Sequence, residues 1–127
     1  MSDLAHILSL EHEAVWTYGL IGGAFETLRE PAQAAFTAHR TQRDRLLAVV
    51  DEAVPPQVAY EPATLPDEAA ARLRAQDVEA RIAAAWSTVI GATTGTDRSD
   101  AIDALVTTET ARLAWGGSAV AFPGLDG

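Results

Sequence analysis

The sequence predicts an all-α protein built as a bundle of four helices. Four segments carry apolar residues at three- and four-residue spacing, and no stretch of similar length alternates with period two or gathers β-branched residues between turn signals. A chain of 127 residues with 48% hydrophobic content can bury one sizeable core. We expect one domain, residues 1–127, with helices at about 3–28, 31–54, 67–93 and 98–122.

Caps, prolines and glycines set these helix boundaries. Ser2 or Asp3 is suited to cap the first helix, and Pro31 suits the first turn of the second, so that a very short turn joins them. Acidic Asp67 favours the start of the third helix, and Gly91 and Gly95 close it. The fourth helix is predicted to continue to Pro123. Each pair of helices therefore forms a tight antiparallel hairpin.

One long connection joins the two predicted hairpins. The segment Val54–Pro66 contains four prolines, and in an extended conformation it reaches roughly 40 Å at about 3.1 Å per residue. A helix of about 24 residues is roughly 36 Å long. A connection of this reach can cross the length of the bundle, which is the ferritin-like arrangement. A loop projecting into solvent is the alternative, although Tyr60 and Leu65 are suited to packing on the bundle.

Every helix places ionisable residues among its apolar positions. Burial of such groups is costly unless they are paired, so we expect them to meet in a common interior. The set comprises Glu11 on the first helix, His39 and Arg43 on the second, Glu79 on the third, and Glu109 and Arg112 on the fourth.

This set is an incomplete version of a diiron site. Ferritin-like diiron proteins supply one Glu from each of two helices and a Glu-x-x-His motif from each of the other two. Here Phe36 stands three positions before His39, where a carboxylate belongs, and Arg112 stands three positions after Glu109, where a histidine belongs. A guanidinium cannot ligate a metal, but it pairs well with carboxylates. Arginine charge is therefore predicted where metal charge would be.

Antiparallel register refines this prediction. With the second hairpin turning near Gly95, Arg112 lies opposite Glu79, which predicts an ion pair between them. With the first hairpin turning near Glu30, His39 lies about two turns from Glu11, too far for both to coordinate one ion.

Three interpretations of the charged set stay open. We favour a buried network of ion pairs and hydrogen bonds, with no catalytic residue and no cofactor. The second is a degenerate iron or manganese site, and the third is partial exposure of these charges. The candidate ligands of the metal site are Glu11, His39, Glu79 and Glu109.

Other candidate residues carry weaker signals. Successive helical residues point about 100° apart, so Glu11, His12 and Glu13 cannot converge on one ion, and we expect His12 and Glu13 to be solvated. Trp16, Trp86 and Trp115 are expected in the core or at an interface. As an alternative, small residues beside these tryptophans leave room for a flat apolar ligand; they are Gly19, Gly22, Gly23, Gly116 and Gly117.

Charge and composition exclude several classes of function. With 9 basic and 18 acidic residues the net charge is -9, which repels nucleic acid and anionic membranes. Without cysteine the chain has no thiolate nucleophile and no Cys-type zinc site. An acid near the N-terminus and a longest apolar run of only Leu20–Phe25 predict a cytoplasmic protein.

Four groups of residues together are typical of a known family. They are Glu11-His12-Glu13-Ala14-Val15 with Tyr18-Gly19, His39-Arg40 with Arg43-Asp44-Arg45-Leu46, Val78-Glu79 with Ala85-Trp86, and Ala121-Phe122-Pro123-Gly124-Leu125. With these motifs the chain resembles an uncharacterised bacterial ferritin-like family, a domain of unknown function. The resemblance implies the ferritin-like fold over nearly the whole chain, and it brings no reaction, substrate or cofactor.

Three functional hypotheses follow from these observations. The favoured one is a non-catalytic bundle that acts by self-association, as a homodimer, or by binding a protein partner. The second is a metal-dependent oxidoreductase or metal-storage protein with a degenerate carboxylate and histidine site. The third is a carrier of a small apolar ligand.

Overall fold

The computed structural model describes residues 1–119 as an all-helical fold, and these residues contain no β-strand. This confirms the predicted all-α class with four helices. The elements are α1 (Asp3–Ala24), a 3-10 turn (Glu26–Leu28), α2 (Arg29–Val49), α3 (Glu68–Ala92) and α4 (Gly95–Ala114). No helix within residues 1–119 is both long and apolar enough to cross a membrane.

The first hairpin turns earlier than the sequence predicted. Ser2 caps α1 by accepting a hydrogen bond from the Ala5 backbone N–H at 3.1 Å. Phe25 then adopts an extended backbone with φ −128° and ψ 105°, which ends the helix. The 3-10 turn leads directly into α2, and Pro31 lies in the first turn of that helix, where its missing N–H costs nothing.

α2 ends at Val49, about five residues before the predicted boundary. Val54 precedes Pro55, and a residue before proline disfavours helical backbone angles. The residues after Val49 contact the start of the chain and α1 instead of continuing the helix. The Ser2 backbone N–H donates to Glu52 Oε1 at 3.0 Å, and His12 Nε2 lies 2.8 Å from the Val54 carbonyl.

The connection between α2 and α3, residues 50–67, packs against the helices. Tyr60 is buried and its ring centroid lies 5.7 Å from that of Trp16 on α1. The Pro62 carbonyl accepts a hydrogen bond from Arg74 Nη1 on α3 at 2.9 Å. Together with the contacts of Glu52 and Val54, these place successive parts of the connection beside successive parts of α1.

α4 ends at Ala114 rather than near residue 122. Gly116 has φ +102°, a left-handed angle that glycine adopts without strain, and the Gly117 N–H donates to the Arg112 carbonyl at 3.0 Å. The helix therefore stops in a glycine turn. The predicted terminator Pro123 and the tail up to Gly127 lie outside the described residues.

The core forms around α1, which packs against α2 and α3, while α4 packs chiefly against α3. α2 and α4 thus each have one principal neighbour, and part of their predicted apolar stripes faces solvent. Five large apolar residues of the helices are exposed: Leu47, Leu73, Ile102, Val106 and Leu113.

A matched pair of leucines tests this core. Leu8 is 1% exposed and Leu73 is 64% exposed. We expect Leu8→Ala to lower the free energy of unfolding by about 2–5 kcal/mol, because it removes buried apolar contacts and leaves a cavity. Leu73→Ala should change it by no more than about 0.5 kcal/mol. Urea denaturation followed by circular dichroism measures both, and equal losses would contradict this assignment of the core.

Candidate functional site

A buried histidine lies between two buried carboxylates at the centre of the bundle. His39 on α2 has Nδ1 2.6 Å from Glu11 Oε1 on α1, and its Nε2 is hydrogen-bonded to Glu79 Oε1 on α3. The residues are 8%, 1% and 0% exposed, respectively. We call these three residues the triad. It joins side chains from three helices in a single hydrogen-bonded unit.

The prediction that His39 lies too far from Glu11 was wrong. It assumed a hairpin turn near Glu30, whereas α1 already ends at Ala24 and the chain turns around Phe25–Leu28. In an antiparallel pair, moving the turn by about four residues moves the facing position by about eight, or two helical turns. The earlier break brings His39 to the level of Glu11.

The geometry favours a protonated ring for His39. Both ring nitrogens of His39 face carboxylate oxygens, and an imidazole donates from both nitrogens only as the imidazolium cation. Burial by itself would lower the pKa of His39, but hydrogen bonds and charges from Glu11 and Glu79 outweigh it and raise this pKa to about 10. At neutral pH the cation of the triad is therefore His39.

Burial and the contact with His39 also affect the pKa of Glu11. Burial raises the pKa of Glu11 above its ordinary value, while the hydrogen bond and charge of His39 oppose that rise. Glu79 Oε2 is buried and makes no hydrogen bond of good geometry within residues 1–119.

Aromatic rings enclose the triad. Tyr18 stacks on His39 with ring centroids 5.4 Å apart and an interplanar angle of 15°, and on Trp115 at 5.7 Å and 27°. Burial, reinforced by the negative charge of Glu79, raises the pKa of Tyr18 above its ordinary value. Tyr18 therefore stays neutral and covers one face of the His39 ring. The sequence gave no signal of this stacking.

The other charged residues of the predicted set lie outside the triad. Arg43 donates to the exposed Asp44 at 3.0 Å. Arg112 donates to both oxygens of Glu109, at 2.9 and 2.8 Å, and to the Ser118 carbonyl. The predicted ion pair of Arg112 with Glu79 is not among the salt bridges of residues 1–119; Arg112 pairs with Glu109 of its own helix instead.

His12 and Glu13 were predicted to be solvated, but both contact other parts of the protein. His12 is buried, with Nε2 against the Val54 carbonyl. Glu13 is paired with Arg81 on α3 and lies 3.9 Å from Arg74 Nη2. Periodicity could not reveal these contacts, because the connection and α3 approach α1 on flanks that a single-helix projection assigns to solvent.

The donors present do not fit a diiron site. Within residues 1–119 no three His, Asp or Glu side chains are arranged to hold a metal ion. The reason is visible in the triad: each carboxylate engages a different nitrogen of His39, so the three groups do not converge on one point. Glu109 is occupied by Arg112 on both oxygens. No reaction step through a metal follows from this arrangement.

The protonated triad makes stability depend on pH. The pKa of His39 is 6.5 ordinarily and about 10 in the folded chain, so the folded state keeps a proton that the unfolded state releases. The stabilisation is complete below about pH 6.5 and is lost as the pH rises through about 10. We expect the free energy of unfolding to fall across this window by at most about 1.4 kcal/mol per pH unit.

Denaturant titrations at several pH values measure this slope, which should disappear in His39→Gln and persist in the control His6→Gln, since His6 is exposed. Nitrogen-15 NMR of the wild-type ring provides a second readout if the His39 variant does not fold. Two protonated ring nitrogens at about pH 8 are expected. A neutral His39 ring at that pH would contradict the assignment.

Comparison with known proteins adds the family. A crystal structure of a conserved hypothetical protein from Mycobacterium tuberculosis is similar to this chain, with a TM-score of 0.80 and 25% sequence identity over 95% of this chain and 94% of that one. A search of curated proteins found no match. The family described as "Domain of unknown function (DUF4439)" matches residues 3–127. Because that match spans nearly the whole sequence, the chain belongs to this family of unknown function.

Proposed function

We propose that the chain is a ferritin-like bundle without a diiron site, which acts by associating with a second copy of itself and performs no catalysis. The observation that carries this proposal is the triad. Both nitrogens of His39 are bonded to carboxylates that, in a diiron protein, metal ions would bridge. The positive charge of the protonated His39 ring takes the place that the charge of the metal ions has in a diiron protein.

The order of contacts supports the ferritin-like arrangement. A 3-10 turn joins α1 to α2, and two residues, Thr93 and Thr94, separate α3 from α4. The connection 50–67 meets α1 near Ser2, then near His12, then at Trp16. Such a segment suits the long crossover between two antiparallel hairpins.

Enclosure of the triad argues against catalysis. Glu11 and Glu79 are almost fully buried, and Tyr18 covers the imidazolium. An acid or base must come within hydrogen-bond reach of the substrate atom that it protonates or deprotonates. The triad instead satisfies its own charges, and its chemistry suits a structural role that holds three helices in register.

The surface of α4 supports association. Ile102, Val106 and Leu113 are exposed and lie on one stripe of the helix, at spacings of four and seven residues. Exposed apolar patches mark interaction sites on soluble domains, and identical chains most often pair about a two-fold axis. A homodimer that joins two α4 stripes accounts for these side chains.

Reconstitution with metal tests the triad proposal. The metal-free protein should take up no stoichiometric Fe(II) or Mn(II) at neutral pH, and its melting temperature should not change, because proton and metal compete for the same groups. Elemental analysis after dialysis measures this. One metal per chain that is lost in Glu79→Gln would overturn the proposal in favour of a site at Glu11, His39, Glu79 and Glu109.

Charge placed on α4 tests the association. We expect Val106→Asp to convert a dimer to a monomer, because a carboxylate at the centre of an apolar interface is desolvated without a partner. Thr107→Asp, at the neighbouring exposed position, is the control and should leave the dimer intact. Sedimentation equilibrium measures both. A wild-type protein that is monomeric at all concentrations contradicts the dimer and leaves the triad proposal standing.

A further inference from the structure

A cavity of about 520 Å³ lies between α1, α2 and the connection. Residues of α1, α2 and the stretch 56–60 line it, and we call it the outer cavity. Its volume lies in the range typical of small-molecule sites, roughly 300–1,000 Å³. The predicted set of tryptophans divides here: Trp86 and Trp115 are buried in the core, and Trp16 is partly exposed and lines the cavity.

The wall of the outer cavity is aromatic and held in place. Trp16 and Tyr60 meet at a tilt of 59° with centroids 5.7 Å apart, and the Tyr60 hydroxyl oxygen accepts a hydrogen bond from the Gln57 backbone N–H at 3.0 Å. Phe36 lies across from Gly19, where an added Cβ would be 3.7 Å from its ring. These rings offer an ordered apolar surface to the body of a ligand.

One guanidinium lines the cavity. Arg43 donates from Nε and Nη2 to a single oxygen of Asp44, a residue largely exposed to water. Its Nη1 makes no hydrogen bond to any of residues 1–119, so this nitrogen is available to an anion. The other basic group of the lining, His12, has its Nε2 against the Val54 carbonyl. In a chain of net charge −9, Arg43 therefore sets the charge preference of this cavity.

We propose that the outer cavity binds an amphipathic carboxylate, with its anion on Arg43 and its apolar body against Trp16, Phe36 and Tyr60. The planar guanidinium matches a carboxylate in geometry as well as charge. The apolar body of the ligand lies in the cavity against these three rings. This activity goes beyond association through α4 and does not depend on it, because the two surfaces share no residue.

Calorimetric titration with matched ligands tests the charge preference. Decanoate and 2-naphthoate are the probes, and decanol and 2-naphthalenemethanol are their neutral counterparts. We expect at least one carboxylate to bind at one site per chain, at least tenfold more tightly than its alcohol. Preference for decanoate identifies an alkyl ligand, and preference for 2-naphthoate an aryl ligand; either supports the proposal. No carboxylate binding, or equal binding of acid and alcohol, overturns it.

Arginine variants locate the anion. Arg43→Gln should bring the affinity for the carboxylate down to that for the alcohol, while affinity for the alcohol stays the same. Arg45→Gln is the control, since Arg45 is exposed on the same helix and does not line the cavity. If both variants retain the full preference for carboxylate, the anion binds elsewhere and the proposal fails.

Filling the cavity locates the apolar body. Gly19→Leu adds a side chain that reaches into the cavity, and its Cβ would make an ordinary contact with Phe36. Gly23→Leu is the control on the same helix, where an added Cβ meets nothing within 4 Å. Both changes replace a helix glycine, so both variants should melt at or above the wild-type temperature.

We expect Gly19→Leu to lose measurable binding and Gly23→Leu to bind as the wild type does. Wild-type affinity in a folded Gly19→Leu variant would place the ligand outside this cavity and overturn the proposal. Should Gly19→Leu not fold, the comparison of Arg43→Gln with Arg45→Gln decides the outcome.

Discussion

The buried imidazolium between two carboxylates is the constraint on which the rest of the bundle depends. Two carboxyl groups buried in the apolar interior are costly unless they are paired, and His39 pairs with both of them through its two ring nitrogens. The hydrogen bonds join α1, α2 and α3 at one level, so any slip of one helix leaves a carboxylate unpaired. The triad thereby selects a single register from the several that apolar stripes alone would tolerate.

This constraint also explains the position of the hairpin turn and the enclosure around it. His39 faces Glu11 only because α1 breaks at Phe25 and the chain enters α2 without delay. Tyr18 then stacks over the imidazolium, and Trp115 packs on Tyr18 beyond the end of α4. These rings cover the imidazole of His39, and the low exposure of the triad strengthens its hydrogen bonds.

The connection between α2 and α3 covers part of one flank of α1. Its Val54 carbonyl engages His12 and its Tyr60 ring packs on Trp16, so the same flank of α1 that looked solvated in projection is partly covered. The covering is incomplete where Arg43 and Phe36 of α2 meet the connection, and the outer cavity opens there. The charged groups of the triad lie inside the bundle, whereas Arg43 lies at its edge, where the outer cavity opens.

The sequence by itself determined the all-α class, the four helices and the starts of the first and third helices near Ser2 and Asp67, because periodicity and the signals of helix ends are local properties. It also identified Glu11, His39 and Glu79 as charged residues on apolar faces. Only the tertiary structure decided which of them meet: a change of about four residues in the turn changes the facing residue by about two helical turns. Interhelical pairing therefore depends on small local breaks, and these made histidine, rather than arginine, the cation at the centre.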